Sequence, residues 1–273
     1  MTYTNTKKML IDARASGYTV GAFNIVDYIS MEAVLEAAIE KDSPVIIQTS
    51  KETVIEMGYE MPPKMMRFLS DSTIIQIALA LDYTTDTVVI KKCIDYGWTS
   101  VMVDCSSKQF SKNVKITKEI VGYAHKKGVT IAGKLGYING IENIFMRNSK
   151  IQLTNPTRVL DFQKMTGIDS LSVVISTGNG SYNNGCNIDF ERFLEITKLC
   201  FLPIDIHGCS DLTLEELKKI ISYGLSKINI STEIKHVYLY SYKRFIDTSF
   251  KNFEENNIYE YEPIRLRKNF SVN

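Results

Sequence analysis

The residues best equipped for chemistry in this chain stand where short apolar runs give way to polar loops. They are Asn24, Gln48, Ser50, Asp82, Tyr83, Asp104, Lys134, Thr177, Asn179, His207, Ser210, Asn229 and Thr232. The set mixes carboxylates, a phenol, an imidazole and an amine with amides and hydroxyls. The first four types transfer protons or attack carbonyl carbon, and the last two orient a polar ligand. Taken singly, each also reads as a cap or a solvated loop residue, because such positions are polar in most proteins. What gives them joint meaning is the element that each one ends.

Eight β-branched runs alternate with longer stretches of helical period. The runs are YTVGAFN (18–24), PVIIQTS (44–50), TIIQIALALD (73–82), SVMVDCS (100–106), VTIAGKLG (129–136), SLSVVIST (170–177), LPIDIHG (202–208) and SKINIST (226–232). Between them lie helical patterns such as SMEAVLEAAIEKD, DTVVIKKCIDYG, NVKITKEIVGYAHKKG, TRVLDFQKMTG, DFERFLEITKLC and TLEELKKIISYG, several ending in glycine as helix C-termini often do. Repeated βα units build a parallel sheet. Eight of them in 273 residues predict a closed (β/α)8 TIM barrel of the α/β class, as one domain spanning 1–273 with a C-terminal arm from about 245. An open doubly wound sheet is the rival, but no GxGxxG follows the first run. In a barrel the chemistry gathers at the C-terminal ends of the strands, where the candidates stand.

Bulk properties narrow the partner. Lys and Arg total 32 against 31 Asp and Glu, a net charge of +1, so no global field draws in nucleic acid or an anionic membrane. A small molecule is the expected ligand. No apolar run nears the roughly 18 residues that span a bilayer. The opening MTYTNTKKMLIDARASG lacks a secretory apolar core, so a cytoplasmic location is expected. Cys93, Cys105, Cys186, Cys200 and Cys209 are odd in number and scattered, as free thiols in a reducing compartment would be.

Consecutive fragments of the chain resemble the class II, zinc-dependent fructose-bisphosphate and tagatose-bisphosphate aldolases. They are VGAFN (20–24), SPVIIQTS (43–50), GWTSVMVDCS (97–106), TKEIVGYAHKKGV (117–129), LTNP (153–156), TGIDSLSVVISTG (166–178), IHGCS (206–210) and KINIST (227–232). The resemblance implies the barrel, a lyase reaction on a ketose or ketose phosphate, and a homodimer or homotetramer. In that family zinc held by three histidines polarises a ketone while an aspartate moves protons. The aspartate corresponds to Asp82, and the histidine positions correspond to Tyr83, Asn179 and His207, of which only His207 is still histidine. A family glutamate on the fifth strand is Lys134 here, and another, two residues earlier on the same face, is Ala132. On the phosphate side Asn183 follows Tyr182 where the family has lysine, and Cys209 and Asp211 stand where it has glycine. Gly208, Ser210, Ser231 and Thr232 remain to meet an anion, and Asn24, Gln48, Ser50, Asp104, Asn179 and Asn229 to orient a ketose.

The expected catalytic group is therefore Asp82, Lys134, Tyr83 and His207, without a resident cofactor. Lys134 has two readings. As a Schiff-base amine it replaces zinc as electron sink; as an ammonium it merely neutralises Asp82 and Asp104. Zn2+ enters only if a site is rebuilt around His207 with Cys105 or Cys209. A catalytically silent sugar-phosphate binding protein and a conventional zinc-dependent aldolase are the other functional readings. His125 and His236 read as surface residues. The stretch EMGYEMPPKMMRFL (56–69) reads as core-facing or a lid, with Pro62 and Pro63 marking a loop. The tail ENNIYEYEPIRLRKNF (255–270) reads as an extended subunit-contact arm.

Overall fold

The computed structural model of the chain describes residues 2–71, 73–138, 151–176, 188–207 and 212–254. Its strands are β1 (Val20–Asn24), β2 (Val45–Thr49), β3 (Ile77–Thr84), β4 (Ser100–Val103), β5 (Thr130–Leu135), a small ribbon of β6 (Tyr137–Ile138) and β7 (Ile151–Gln152), then β8 (Ser170–Val173), β9 (Ile204–Ile206) and β10 (Leu225–Ile230). All but the ribbon are parallel and close into a barrel in the order β1-β10-β9-β8-β5-β4-β3-β2. Each barrel strand corresponds to one of the eight apolar runs. The fold is the expected (β/α)8 barrel.

The helices are α1 (Thr6–Ser16), α2 (Tyr28–Glu40), α3 (Lys51–Met57), α4 (Met61–Ser70), α5 (Thr87–Asp95), α6 (Phe110–His125), α7 (Val159–Thr166), α8 (Phe190–Leu199), α9 (Leu214–Ser222) and α10 (Thr232–Glu254). Local chemistry sets their ends. Asp27 caps α2 by accepting from the Ser30 amide, Asp86 accepts from the amides of Val88 and Val89 at the start of α5, and Thr213 and Glu216 form a reciprocal box at the start of α9. Pro62 and Pro63 open α4 and do not mark a loop, because the first helical turn needs no amide donor at those positions. The stretch from about 245, expected as an arm, is helical through Glu254; residues 255–270 lie outside the described residues.

Two apolar layers hold the barrel. The outer layer packs the helices on the strands and includes Trp98, Phe162, Phe193, Ile131 and Leu171, all nearly without solvent exposure. The inner layer is small: Val20, Ala22, Ile46, Ala78 and Ala80 from the strands meet Met9, Leu10 and Ala13 of α1, which stoppers one end. Among the described residues no helix is long and apolar enough to cross a membrane.

Candidate active site

Side chains alternate along a strand, so each inward apolar residue of the stopper has an inward successor two positions on. That successor is polar on every strand concerned. Val20 and Ala22 lead to Asn24, Ile46 to Gln48, and Ala78 and Ala80 to Asp82. The same alternation sets Lys227 and Asn229 inward on β10, in register with Val20 and Ala22. Asp205 lies beside Lys227, Ser172 beside Asp205, and Lys134 beside Ser172. The mouth is thus a polar tier above an apolar floor.

Half of this tier is one continuous hydrogen-bonded arc. Asn24 Nδ2 donates to Asp82 Oδ2 at 2.9 Å. Gln48 Nε2 donates to Asn24 Oδ1 at 2.5 Å and to Asn229 Oδ1 at 3.1 Å. Asn229 Nδ2 then donates to Asp205 Oδ1 at 3.1 Å and to the Ile206 carbonyl at 2.8 Å. The arc joins β3, β2, β1, β10 and β9 and ends in a carboxylate on each side. Every member is buried, where an unpaired amide would cost on the order of 1–3 kcal/mol. Asp82 Oδ1 also accepts from the Tyr83 amide at 2.9 Å, which fixes the plane of the carboxylate.

The opposite wall carries the charge pair. Lys134 Nζ is 2.8 Å from Asp104 Oδ2, with the lysine side chain only 2% exposed and the aspartate 14%. Burial works against the Asp104 charge, but the Lys134 ammonium and two hydrogen bonds from Ser106 outweigh it and hold the carboxyl below its usual range. The ammonium also lies over the Tyr83 ring, 5.2 Å from its centre. Tyr83 in turn meets His207 edge to face at 5.4 Å. Burial, opposed by Asp82 and Asp205 and reinforced by Lys134 and Lys227, lowers the His207 pKa, so its imidazole is neutral at neutral pH. Its Nε2 stands 3.7 Å from Asp205 Oδ1, and among the described residues it has no hydrogen-bond partner.

The structure therefore brings Asp82, Tyr83, Lys134, His207, Asn24, Gln48, Asp104 and Asn229 together around one mouth. Ser50, at the end of β2, caps α3 and accepts from the Thr53 amide at 3.3 Å. Ser231 and Thr232 stand half-buried at the N-terminus of α10. Thr177, Asn179, Tyr182, Asn183, Gly208, Cys209, Ser210 and Asp211 lie outside the described residues. Cys105 is fully buried in the outer apolar layer, and burial pushes its thiol up, which places it with the core. Among the described residues no three His, Cys, Asp or Glu side chains gather in a set that could hold a metal ion. His125 is half-exposed and pairs with Asp169 at 2.8 Å, while His236 is exposed on α10.

Three members of the tier escaped sequence reasoning: Ser172, Asp205 and Lys227, each buried. The signal was present. IDIHG puts Asp205 two residues before His207, and KIN puts Lys227 two before Asn229, on the same faces. Ser172 Oγ and Asp205 Oδ2 have no hydrogen-bond partner among the described residues.

Comparison with known proteins agrees with this fold. The chain is similar to the YdjI aldolase from Escherichia coli K12, with 26% identity, 98% of this chain and 94% of that chain covered, and a TM-score of 0.82. It shares its fold with fructose-bisphosphate aldolase from Campylobacter jejuni at 22% identity, covering 98% of this chain and 89% of that one, with a TM-score of 0.78. The model of the family described as fructose-bisphosphate aldolase class-II matches residues 4–270. A barrel whose polar tier lies at the strand ends, matched over nearly its whole length, is thus a member of the class II fructose-bisphosphate aldolase family.

Proposed function

We propose that this protein is an aldolase-type lyase acting on a ketose or ketose phosphate, in which the Lys134 amine takes the place of zinc as the electron sink. The observation that carries the reading is a buried Lys134 2.8 Å from Asp104, in the same mouth as Asp82, Tyr83 and His207. Family membership supports the lyase class. The described residues do not fit the zinc ion typical of that family. An ammonium lies beside Tyr83 and His207, and a cation there repels a divalent ion. No step is therefore routed through a metal.

In the cleavage direction the Lys134 amine, its ammonium proton given up to solvent, adds to the ketone carbon, and water leaves as the C=N bond forms. Asp82 takes the proton of the hydroxyl carried by the far carbon of the bond to be broken, the one β to the iminium carbon, so that this oxygen becomes the aldehyde carbonyl. The C–C electrons then flow into the iminium, leaving an aldehyde and an enamine, which is reprotonated and hydrolysed. Asn24, Gln48 and Asn229 orient the hydroxyls, and Ser231 and Thr232 at the N-terminus of α10 supply donors to an anionic end.

The 2.8 Å ion pair also favours a second form, in which Lys134 stays protonated and hydrogen-bonds the carbonyl oxygen. Borohydride reduction in the presence of a panel of ketoses and ketose phosphates, followed by peptide mass mapping, separates the two. An adduct on Lys134 establishes the imine. Turnover without an adduct establishes the ammonium form, and binding without turnover across the panel overturns the lyase in favour of a silent sugar-phosphate binder. Full activity in Lys134→Ala would remove the lysine from either mechanism. The buried free thiols of Cys93, Cys105 and Cys200 support a reducing, cytoplasmic setting.

A further inference from the structure

One stretch of the polar tier stands apart from both the amide arc and the charge pair. The inward residues Ser172 of β8 and Asp205 of β9 are register neighbours, which sets their backbones roughly 4.8 Å apart, and neither residue is exposed. His207 lies two residues beyond Asp205 on the same face. Asp205 engages the Asn229 amide through Oδ1. Its Oδ2, the Ser172 Oγ and the His207 Nε2 are buried and have no hydrogen-bond partner among the described residues. The 3.7 Å between His207 Nε2 and Asp205 Oδ1 is too long for a hydrogen bond. Buried polar atoms are nearly always paired in a working protein, so three of them on adjoining strands point to something that they hold in common.

We propose that Ser172, Asp205 and His207 form a recess that takes one hydroxyl group of the ketose, which rests on the lyase function above and narrows its substrate. The three atoms select the ligand by their chemistry. A carboxylate oxygen only accepts, so Asp205 Oδ2 needs a donor, which a phosphate dianion or a carboxylate does not offer. An amine would donate, but Lys227 is the register neighbour of Asp205 and Lys134 that of Ser172, and a third cation between two ammonium groups is repelled. A hydroxyl meets every demand. It donates its hydrogen to Asp205 Oδ2 and accepts from the Ser172 hydroxyl and from His207 in the tautomer that carries hydrogen on Nε2. Position agrees as well. His207 meets the Tyr83 ring, and the Lys134 amine lies over that same ring, so the recess opens beside the group that holds the ketone carbon. The hydroxyl taken there belongs to a carbon close to that one.

The test uses the full chain and the variants Ser172→Ala and Asp205→Asn, each shown folded by circular dichroism. Asparagine keeps an oxygen for the Asn229 amide and turns the free acceptor into a donor, so the arc stays closed. Calorimetry finds the tightest binder in a panel of ketoses and ketose phosphates and compares it with its monodeoxy analogues, each lacking one hydroxyl. In the wild type one analogue is expected to bind at least about 10-fold more weakly. That factor is expected to vanish in both variants, while the factors for the other hydroxyls persist. A pattern of losses identical in all three proteins overturns the proposal and leaves the recess to a water molecule. So does a wild type that binds no member of the panel. Turnover is scored separately: the pattern without turnover sustains the recess and overturns the lyase, and turnover without the pattern does the reverse. Ser172→Ala removes a single oxygen and decides alone if the Asp205→Asn chain does not fold.

Discussion

At the scale of single residues the lysine and the aspartate on the charged wall depend on each other more than either depends on the rest of the site. A buried pair contributes little net stability, because both ions lose water, but removing one partner strands the other. Asp104→Asn is therefore expected to lower unfolding free energy by about 3–5 kcal/mol. Lys134→Met with Asp104→Leu is expected to restore most of it, as urea titration would show. The same double variant is expected to lose catalysis at least about 1,000-fold against an active ketose, since the electron sink is gone. Stability regained without activity would separate the structural share of the pair from its chemical share.

At the scale of elements, the end of β5 decides where Lys134 points. Gly136 follows the strand at φ +86°, and a Cβ there would lie 2.6 Å from Thr154 Oγ1 and 3.0 Å from the Gln152 carbonyl oxygen. The Thr154 hydroxyl donates to the Leu135 carbonyl and accepts from the Val174 amide. Only glycine lets this knot close. Gly136→Ala is expected to cost at least ~2 kcal/mol, from the strained φ and the contacts together, and to change kcat by displacing Lys134. Elements of this kind account for what sequence reading found and missed. The eight strands were legible because each is an apolar β-branched run, and the tier residues because polarity begins where the floor ends. α4 was not, since Pro62 and Pro63 signal a break in general and a helix start only in the first turn. Asp205 and Lys227 were hidden inside runs that look apolar, visible only when the inward alternation is followed back one step from His207 and Asn229. The cap that Ser50 forms at α3 was not separable in the sequence from a binding role, because a cap and a binding residue share the same chemistry.

At the scale of the whole molecule, His207 ties stability to pH. Its folded pKa lies below the ordinary histidine value of about 6.5. Below that value the unfolded chain binds the proton more readily than the folded one, so stability is present above it and falls as pH drops through it. Unfolding temperature is expected to decline as pH falls below about 6.5, and His207→Gln is expected to flatten that decline. Asp104 works in the same direction at lower pH. Its folded carboxyl sits below the unfolded value, so its stabilisation is full above about pH 4 and is lost as pH falls through the folded pKa.

The amide arc has a sense of direction. Both hydrogens of the Gln48 amide are committed, one to each asparagine, and each asparagine sends its own amide onward to a carboxylate. Gln48 thus acts as the common source of polarity for both ends, and Asp82 and Asp205 receive the asparagine amides only because this central residue offers nitrogen to both neighbours. A glutamate at position 48 cannot do so while ionised. Its oxygens would turn both asparagines around and present their carbonyls to the two aspartates, repelling charge at opposite sides of the barrel through one exchanged atom. Gln48→Glu is accordingly expected to impair proton transfer at Asp82 far more than its size predicts. Gln48→Met, which leaves the asparagines free to choose, is expected to impair it less, a ranking that runs against simple isosterism and can be read from kcat.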